Sequence, residues 1–351
     1  MTGQQPPATS PHRMTDTELD TVLNNAGQQL ETGLRQSIDT DAHLSSTLAG
    51  VNLKRPRKAF ERLTKRPVSS IRPGDHAWLA FSNKPERDRV IGAFIREAFD
   101  TNEKVVYITN GDPGQLAGVL PNYGYNLPVL TRTGQLRFIP REEACLDSRG
   151  RFDHDQMTQT LEEQVGEAFD QGYRAVRITT DLTWTLNKSA ASDLTRILHS
   201  EERFSEKVFA TSMAMVICQV DRRRCTQEEL AALEDAHEFL VEANPEYDDG
   251  VLRITRTFAP PGLRIDGEVD AARLTILNEL LKMTNFSDEP VHLDLSRLAF
   301  IDLGGLNMLA HHASQLPKHA PLILDDVSPE VMSVIEMIGW HRLPGLLVGR
   351  R

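Results

Sequence analysis

The stretch Val291–Leu309, VHLDLSRLAFIDLGGLNML, constrains the fold more than any other in the chain. Val291, Leu293 and Leu295 alternate with His292, Asp294 and Ser296, and an apolar run from Leu298 to Ile301 then meets Asp302-Leu303-Gly304-Gly305. Beyond the glycines the apolar spacing becomes helical, so the stretch predicts a strand, a turn and a helix start. An acidic residue and two glycines at that junction leave main-chain amides uncovered at a helix N-terminus, where a phosphate or a partner's side chain can approach. The same pattern also suits an ordinary strand-to-helix turn.

The surroundings extend the pattern. Leu263–Asp270, LRIDGEVD, reads as an alternating strand ending in a Gly-Glu-Val-Asp turn, and a helix follows with Leu274, Ile276, Leu277, Leu280 and Leu281. Pro321 to Leu324 is a short apolar strand, and Pro329 to Ile338 is a helix with Val331, Val334, Ile335 and Ile338 on one face. This β-α-β-α-β-α order, with GEVD, LDLSRLAFID, GGL and the closing Ile338-Gly339-Trp340, resembles the STAS domain of anti-sigma factor antagonists over about 253–348.

The resemblance has one departure. The phosphorylated members of that family carry serine in the turn, in a D-S-[ST]-G-L pattern modified by an anti-sigma kinase. Here Asp302 is followed by Leu303, Gly304, Gly305 and Leu306, none of which bears a hydroxyl. No phosphoester can form there, so the phosphate-dependent charge switch is absent and the domain reads as a docking module without it. Asp302, Leu303, Gly304 and Gly305 are the expected partner-docking residues.

A chain of 351 residues has room for two ordinary domains and a tail. The formal net charge of -11 argues against a general nucleic-acid binder. No apolar run reaches membrane-span length, and MTGQQPPATSPHRM lacks the apolar core of a signal peptide, so a cytoplasmic location is expected. Cys145, Cys218 and Cys225 are too irregularly spaced for a disulfide framework or a zinc knuckle and read as isolated thiols.

Taken in order, 1–13 is polar and read as disordered, and 16–48 carries Leu19, Val22, Leu23, Leu30 and Leu34 at loosely helical spacing. Leu53 to Arg72 holds eight basic residues against Glu61 and is read as a solvated linker rather than a nucleic-acid arm. From Ile71 the character changes: Ala77–Phe81, Lys104–Thr109, Leu136–Ile139, Ala175–Thr179 and Ala214–Gln219 read as strands, with helices at Pro85–Phe99, Phe152–Gln171 and Ala190–Phe204. Such alternation predicts a mostly parallel, three-layer α/β sheet.

Gly74-Asp75-His76 with Trp78, then KVVYIT, Gly172–Arg177, Thr183-Trp184, Ile217–Arg223 and finally His237 are similar to the MEDS domain, the DcmR-type sensory domain, over about 71–244. The resemblance implies a RecA-like α/β fold used as an input module, proposed to sense small organic compounds. The expected organisation is a disordered or helical segment and basic linker (1–70), the sensor (71–244), a linker serving as hinge (245–262) and the STAS-like domain (263–348).

The turn after KVVYIT, Asn110–Gln115, lacks the Gly-Lys-Ser/Thr of a phosphate loop and places Asp112 where phosphates would sit, which argues against ATP hydrolysis. Strand ends and their loops form the usual ligand crevice of an open α/β sheet. His76 and Trp78 at the first strand, and Asp181 and Trp184 after a later one, are candidates to line it, Trp offering an apolar face with one donor. His76 reads equally as a hydrogen-bonded structural residue. Gln219, Asp221 and Arg222 close the last strand, and Arg222 is placed either to read an anionic group or to pair with Asp221 or Asp235. His76, His154, His237 and Cys218 show no metal-ligand spacing, so no metal site is assigned, and no catalytic trio emerges. The reading is a signalling protein rather than an enzyme. Its partners are an anti-sigma factor or related regulator and a small organic ligand; its cofactors stay undetermined, and a nucleotide-binding enzyme and a ligand-free scaffold are the rivals.

Overall fold

The computed structural model describes residues 64–109, 125–186, 213–284 and 289–349. The expected N-terminal helix, most of the basic stretch, the Asn110–Gln115 turn and the Ala190–Phe204 helix lie outside these residues. The elements of the first domain are β1 (Lys65–Pro67), β2 (His76–Phe81), α1 (Lys84–Asp100), β3 (Lys104–Thr109), α2 (Leu127–Arg132), β4 (Leu136–Pro140), α3 (Arg141–Ala144), α4 (His154–Asp170), β5 (Val176–Asp181), β6 (Ala214–Asp221), α5 (Gln227–Asp235) and β7 (Phe239–Glu242). Those of the second are β8 (Tyr247–Asp248), β9 (Leu252–Phe258), β10 (Pro261–Val269), α6 (Leu274–Thr284), β11 (Val291–Ile301), α7 (Leu303–Gln315), β12 (Leu322–Asp325), α8 (Pro329–Ile338) and β13 (Leu346–Val348).

The first sheet has the order β1-β7-β2-β6-β5-β3-β4, every pair parallel. Side chains alternate between its faces. Ala77, Leu79 and Phe81 of β2 pack with Met215 and Ile217 of β6 against Val90, Phe94 and Ile95 of α1. Trp78 packs with Val216, Cys218 and Val220 against Met157 and Leu161 of α4 and Leu233 of α5. Helices on both faces make the three layers that the sequence predicts. α1 begins where Asn83 accepts a hydrogen bond from the Glu86 amide and proline follows in the first turn.

The second sheet has the order β13-β12-β11-β10-β9-β8, with β10 to β13 parallel and the β8-β9-β10 meander antiparallel. Its core joins Leu263, Leu293 and Leu324 of the strands to Leu281, Leu309 and Ile335 of the helices. The β11-to-α7 transition falls at Asp302, as the alternation predicts.

Three sequence expectations are corrected. The segment 245–262, read as a hinge, contains β8 and β9 and the start of β10, and β9 pairs with β10 from Leu252↔Gly267 to Phe258↔Pro261. Its alternating Leu252 and Ile254 are buried in the core, although the prolines and charges around them suggest a linker. Gly267-Glu268-Val269 is not a turn but the end of β10, where Gly267 sits at φ +99° beside a register shift; a Cβ there would lie 2.0 Å from the Val251 carbonyl oxygen. Finally, the described end of the basic stretch is ordered: β1 joins the sheet edge through β7, and the Arg66 guanidinium lies 3.9 Å from the Phe239 ring centroid and pairs with Asp75.

At the N-terminal ends of β3 and β5 the sheet buries charge. Arg177 Nε donates to Glu103 at 2.6 Å with both side chains buried, Arg177 also reaches Glu97 at 3.2 Å, and Arg174 reaches Glu103 at 2.7 Å. A buried pair costs most when only one member is removed. Arg177→Leu is therefore expected to lower stability by about 3 kcal/mol in urea unfolding, and Glu103→Leu combined with Arg177→Leu by distinctly less.

Candidate functional site

The C-terminal ends of β2 and β7 open into a cleft of about 510 Å³, and its opposite wall comes from the second domain. The first domain contributes Lys65, Ser82, Glu86 and Arg222, and the second contributes Arg256, Arg264, His292 and Asp325. These groups come from different elements: Ser82 follows β2, Arg222 follows β6, Lys65 opens β1, Glu86 lies in the first turn of α1, and Arg256 and Arg264 lie on the β9–β10 hairpin.

Contacts beside the cleft lock the two domains together. Both guanidinium nitrogens of Arg264 meet the Glu242 carboxylate, at 3.0 and 2.8 Å, a bidentate pair between β10 and the end of β7. Asn83, while capping α1, donates to the Phe258 carbonyl at 2.7 Å, and Arg89 donates to Glu246 at 2.8 Å. Within the cleft wall the His292 ring nitrogen Nδ1 lies 2.7 Å from the Asp325 carboxylate. The Glu86 carboxylate accepts from the Ser82 amide at 2.6 Å, and its burial pushes its pKa up, partly offset by that hydrogen bond and by the nearby Arg222 and Lys65 charges. Among the described residues no ion pair within 4.0 Å holds Lys65 or Arg222, and both charges face the cleft near Glu86.

The sequence-predicted sensor residues divide between the two ends and two faces of the sheet. Arg222 is exposed and lines the cleft. Asp221 pairs instead with Arg223, at 2.6 Å, and accepts the Arg223 amide, which holds its carboxyl below the usual range. Asp181 accepts the Thr183 amide, and Thr183 Oγ1 in turn accepts the Asp221 amide, so this end of β5 and β6 is stitched by its own turn. Gln219 is fully buried on the α1 face, where its amide donates to Thr179 Oγ1 at 2.9 Å and Thr179 donates to the Ile217 carbonyl at 2.8 Å. Trp78 and Trp184 are buried in the α4-face core, with the Arg141 guanidinium 5.1 Å from the Trp184 ring. His76 opens β2 at the end of the sheet away from the cleft.

His76 has company there. His76 Nε2 lies 3.4 Å from Cys218 Sγ, and the His76 and His237 rings are 4.6 Å apart. The donor atoms of His76, Cys218 and His237 all lie within 4.8 Å of one another, and all three residues are buried. Trp78 stacks on His237 at 5.8 Å. Burial holds the pKa of both imidazoles down, that of His237 at about 4. Linear spacing gives no sign of this group, because its members come from β2, β6 and the approach to β7, which only the strand order makes neighbours.

In the second domain, Asp302 caps α7 by accepting the Gly305 amide at 2.7 Å. Gly305 is buried, and a Cβ there would press on Ile301 at 2.7 Å and Val269 at 3.1 Å, so the helix is seated on the strands through this glycine. Leu303 and Gly304 are half-buried, and Phe300 just before the turn is 47% exposed.

Residues 75–238 match the family model described as the MEthanogen/methylotroph, DcmR Sensory domain (MEDS), and residues 252–349 match that described as the Mlab, STAS domain. Similar solved structures include an anti-sigma factor antagonist from Mycobacterium paratuberculosis, 22% identical, covering 30% of this chain and 82% of that one with a TM-score of 0.23. Another is a KaiC-like protein from Pyrococcus horikoshii OT3, 11% identical, covering 52% of this chain and 79% of that one with a TM-score of 0.36. No curated protein matches the chain. Among the described residues no helix is long and apolar enough to cross a membrane.

The bidentate pair makes the domain contact testable. Arg264→Met leaves Glu242 without its partner and is expected to cost about 2 kcal/mol, less than a fully buried pair because the carboxylate keeps some solvent. Hydrogen exchange read by mass spectrometry should show amides of β9 and β10 losing protection by tenfold or more.

Proposed function

We propose that this chain, which carries a MEDS sensory domain followed by a STAS domain, is a regulatory signalling protein in which a small-molecule input is passed to a protein-docking output. The observation that carries the reading is the cleft, whose walls come from both domains. A ligand held there touches input and output at once, so it shifts the balance between domain arrangements by as much as its affinity for them differs. Lys65 and Arg222 suit a small organic molecule with an anionic group, and Glu86 adds an acceptor for a polar one. The sensor sheet is assigned binding rather than turnover.

For the output, we assign an anti-sigma factor or a related cytoplasmic regulator as partner, docking beside the β11–α7 turn. Phe300 and Leu303 supply an apolar contact there, and the turn has no hydroxyl between Ile301 and Asn307 to carry a phosphoester. Docking is thus independent of phosphorylation at the turn.

Mass spectrometry of the natively purified full chain tests both ends: a co-purified small anion and a bound regulatory protein are expected together. Lys65→Ala with Arg222→Ala should weaken retention of the small molecule by at least tenfold, about 1.4 kcal/mol, without unfolding the chain. In pull-downs Leu303→Asp should weaken the protein complex by a similar factor. Undiminished binding by Leu303→Asp removes the turn from the interface, and a chain that carries no small molecule and no partner sinks the reading as a whole.

A further inference from the structure

We propose that His76, Cys218 and His237 bind one soft d10 metal ion, Zn2+ or Cu+, through two imidazole nitrogens and one thiolate. The site lies on the α4 face of the first sheet, away from the cleft, and does not depend on the signalling reading.

The donor geometry carries it. His76 Nε2 and Cys218 Sγ, 3.4 Å apart, already have the separation of roughly 3.3–3.8 Å that adjacent ligands keep around a tetrahedral ion with bonds of 2.0–2.3 Å. The full group spans 4.8 Å, so side-chain rotation closing about 1 Å completes it. The three residues are 2%, 4% and 6% exposed, which keeps competing water away.

The proton inventory agrees. His237 Nδ1 lies 2.7 Å from the Leu233 carbonyl oxygen, and a carbonyl only accepts, so Nδ1 carries the hydrogen and Nε2 presents its lone pair. That is the outer-sphere arrangement that orients a metal-bound histidine. His237 Nε2 is buried and has no hydrogen-bond partner among the described residues, a desolvation cost that a metal bond would remove.

The donor set selects the ion. Two imidazoles and a sulfur, with no carboxylate in the group, exclude the oxygen-seeking Mg2+ and Ca2+ and favour thiophilic ions. On binding, the Cys218 S–H bond breaks, its electron pair forms the sulfur–metal bond and the proton leaves to solvent, one per ion, with no change of oxidation state. Cu+ with one thiolate leaves the site uncharged, and Zn2+ leaves it with a single positive charge and a fourth position.

The test uses the full chain, reduced and stripped by chelator. It should take up one equivalent of Co2+ with a thiolate-to-cobalt charge-transfer band and release one proton per ion, and Zn2+ should displace the cobalt. Parallel titration with Cu+ under anaerobic conditions, with elemental analysis of natively purified protein, distinguishes the two ions. X-ray absorption of the loaded, unsubstituted chain should show one sulfur and two imidazole ligands. Cys218→Ser should lower affinity by more than about 100-fold, whereas Cys225→Ser should not change it. A chain that binds none of the three ions stoichiometrically, a loaded chain without sulfur in its coordination shell, or a charge-transfer band that survives Cys218→Ser overturns the assignment.

Discussion

The pairing of β2 with β6 is the constraint on which the first domain depends. Six residues of β2, His76 to Phe81, run in parallel register with Val216 to Asp221, so every side chain of one strand shares its face with its neighbour on the other. Ala77, Leu79, Met215 and Ile217 build the core under α1, and Trp78, Val216, Cys218 and Val220 build the core under α4. Two buried faces leave polar chemistry only three places to go: the two ends of the sheet, and positions inside a core where polar groups satisfy one another. Each place is used differently. The Glu103–Arg177 network takes the N-terminal ends of β3 and β5, the cleft takes the C-terminal ends of β2 and β7, and the His–Cys–His group sits inside the α4-face core.

The same end of the sheet that opens the cleft also holds the second domain. β7 ends at Glu242, and the chain needs only Ala243 to Glu246 to reach β8, so the two sheets follow one another too closely for a loose tether. Arg264, Asn83 and Arg89 then add charge-assisted and capping hydrogen bonds across the contact. Such polar contacts desolvate charges without a large apolar gain, so they fix the register of the two domains more than they add to stability.

How much of this could be read from the chain depends on range. Local alternation located β2, β3, β4, β5, β6 and β11 and the helices α1, α4, α6 and α8 to within a few residues, because burial on one or two faces imposes a period on the sequence. The alternation was equally present in Leu252-Arg253-Ile254, but short neighbouring runs of proline and acid disguised it as a linker, and only pairing with β10 makes it a strand. β1 was hidden for a related reason: three residues of an edge strand are too short to show a period, and its lysine and arginine dominate the composition. Among the candidate residues, Arg222 could be placed at a strand end by pattern alone. The partnership of His76 with Cys218 and His237 could not, since it spans more of the chain than any local rule reaches.

The β11–α7 turn shows how a residue pattern can answer to the fold before it answers to a partner. In sequence Asp302 and the two glycines suggest an exposed helix N-terminus, yet the Asp302 carboxylate already occupies the Gly305 amide, and Gly305 is required by Ile301 and Val269 beneath it. An aspartate cap and a buried glycine therefore hold the helix whether or not anything docks. What remains for recognition is the side chains that the fold does not consume. Leu303 is half-buried in the first helical turn and Phe300 stands exposed one residue before the strand ends, so the surface left over is apolar. An apolar side chain at a helix N-terminus disfavours the anion that the helix dipole would otherwise attract, so what this turn offers a neighbour is shape and apolar surface in place of added charge.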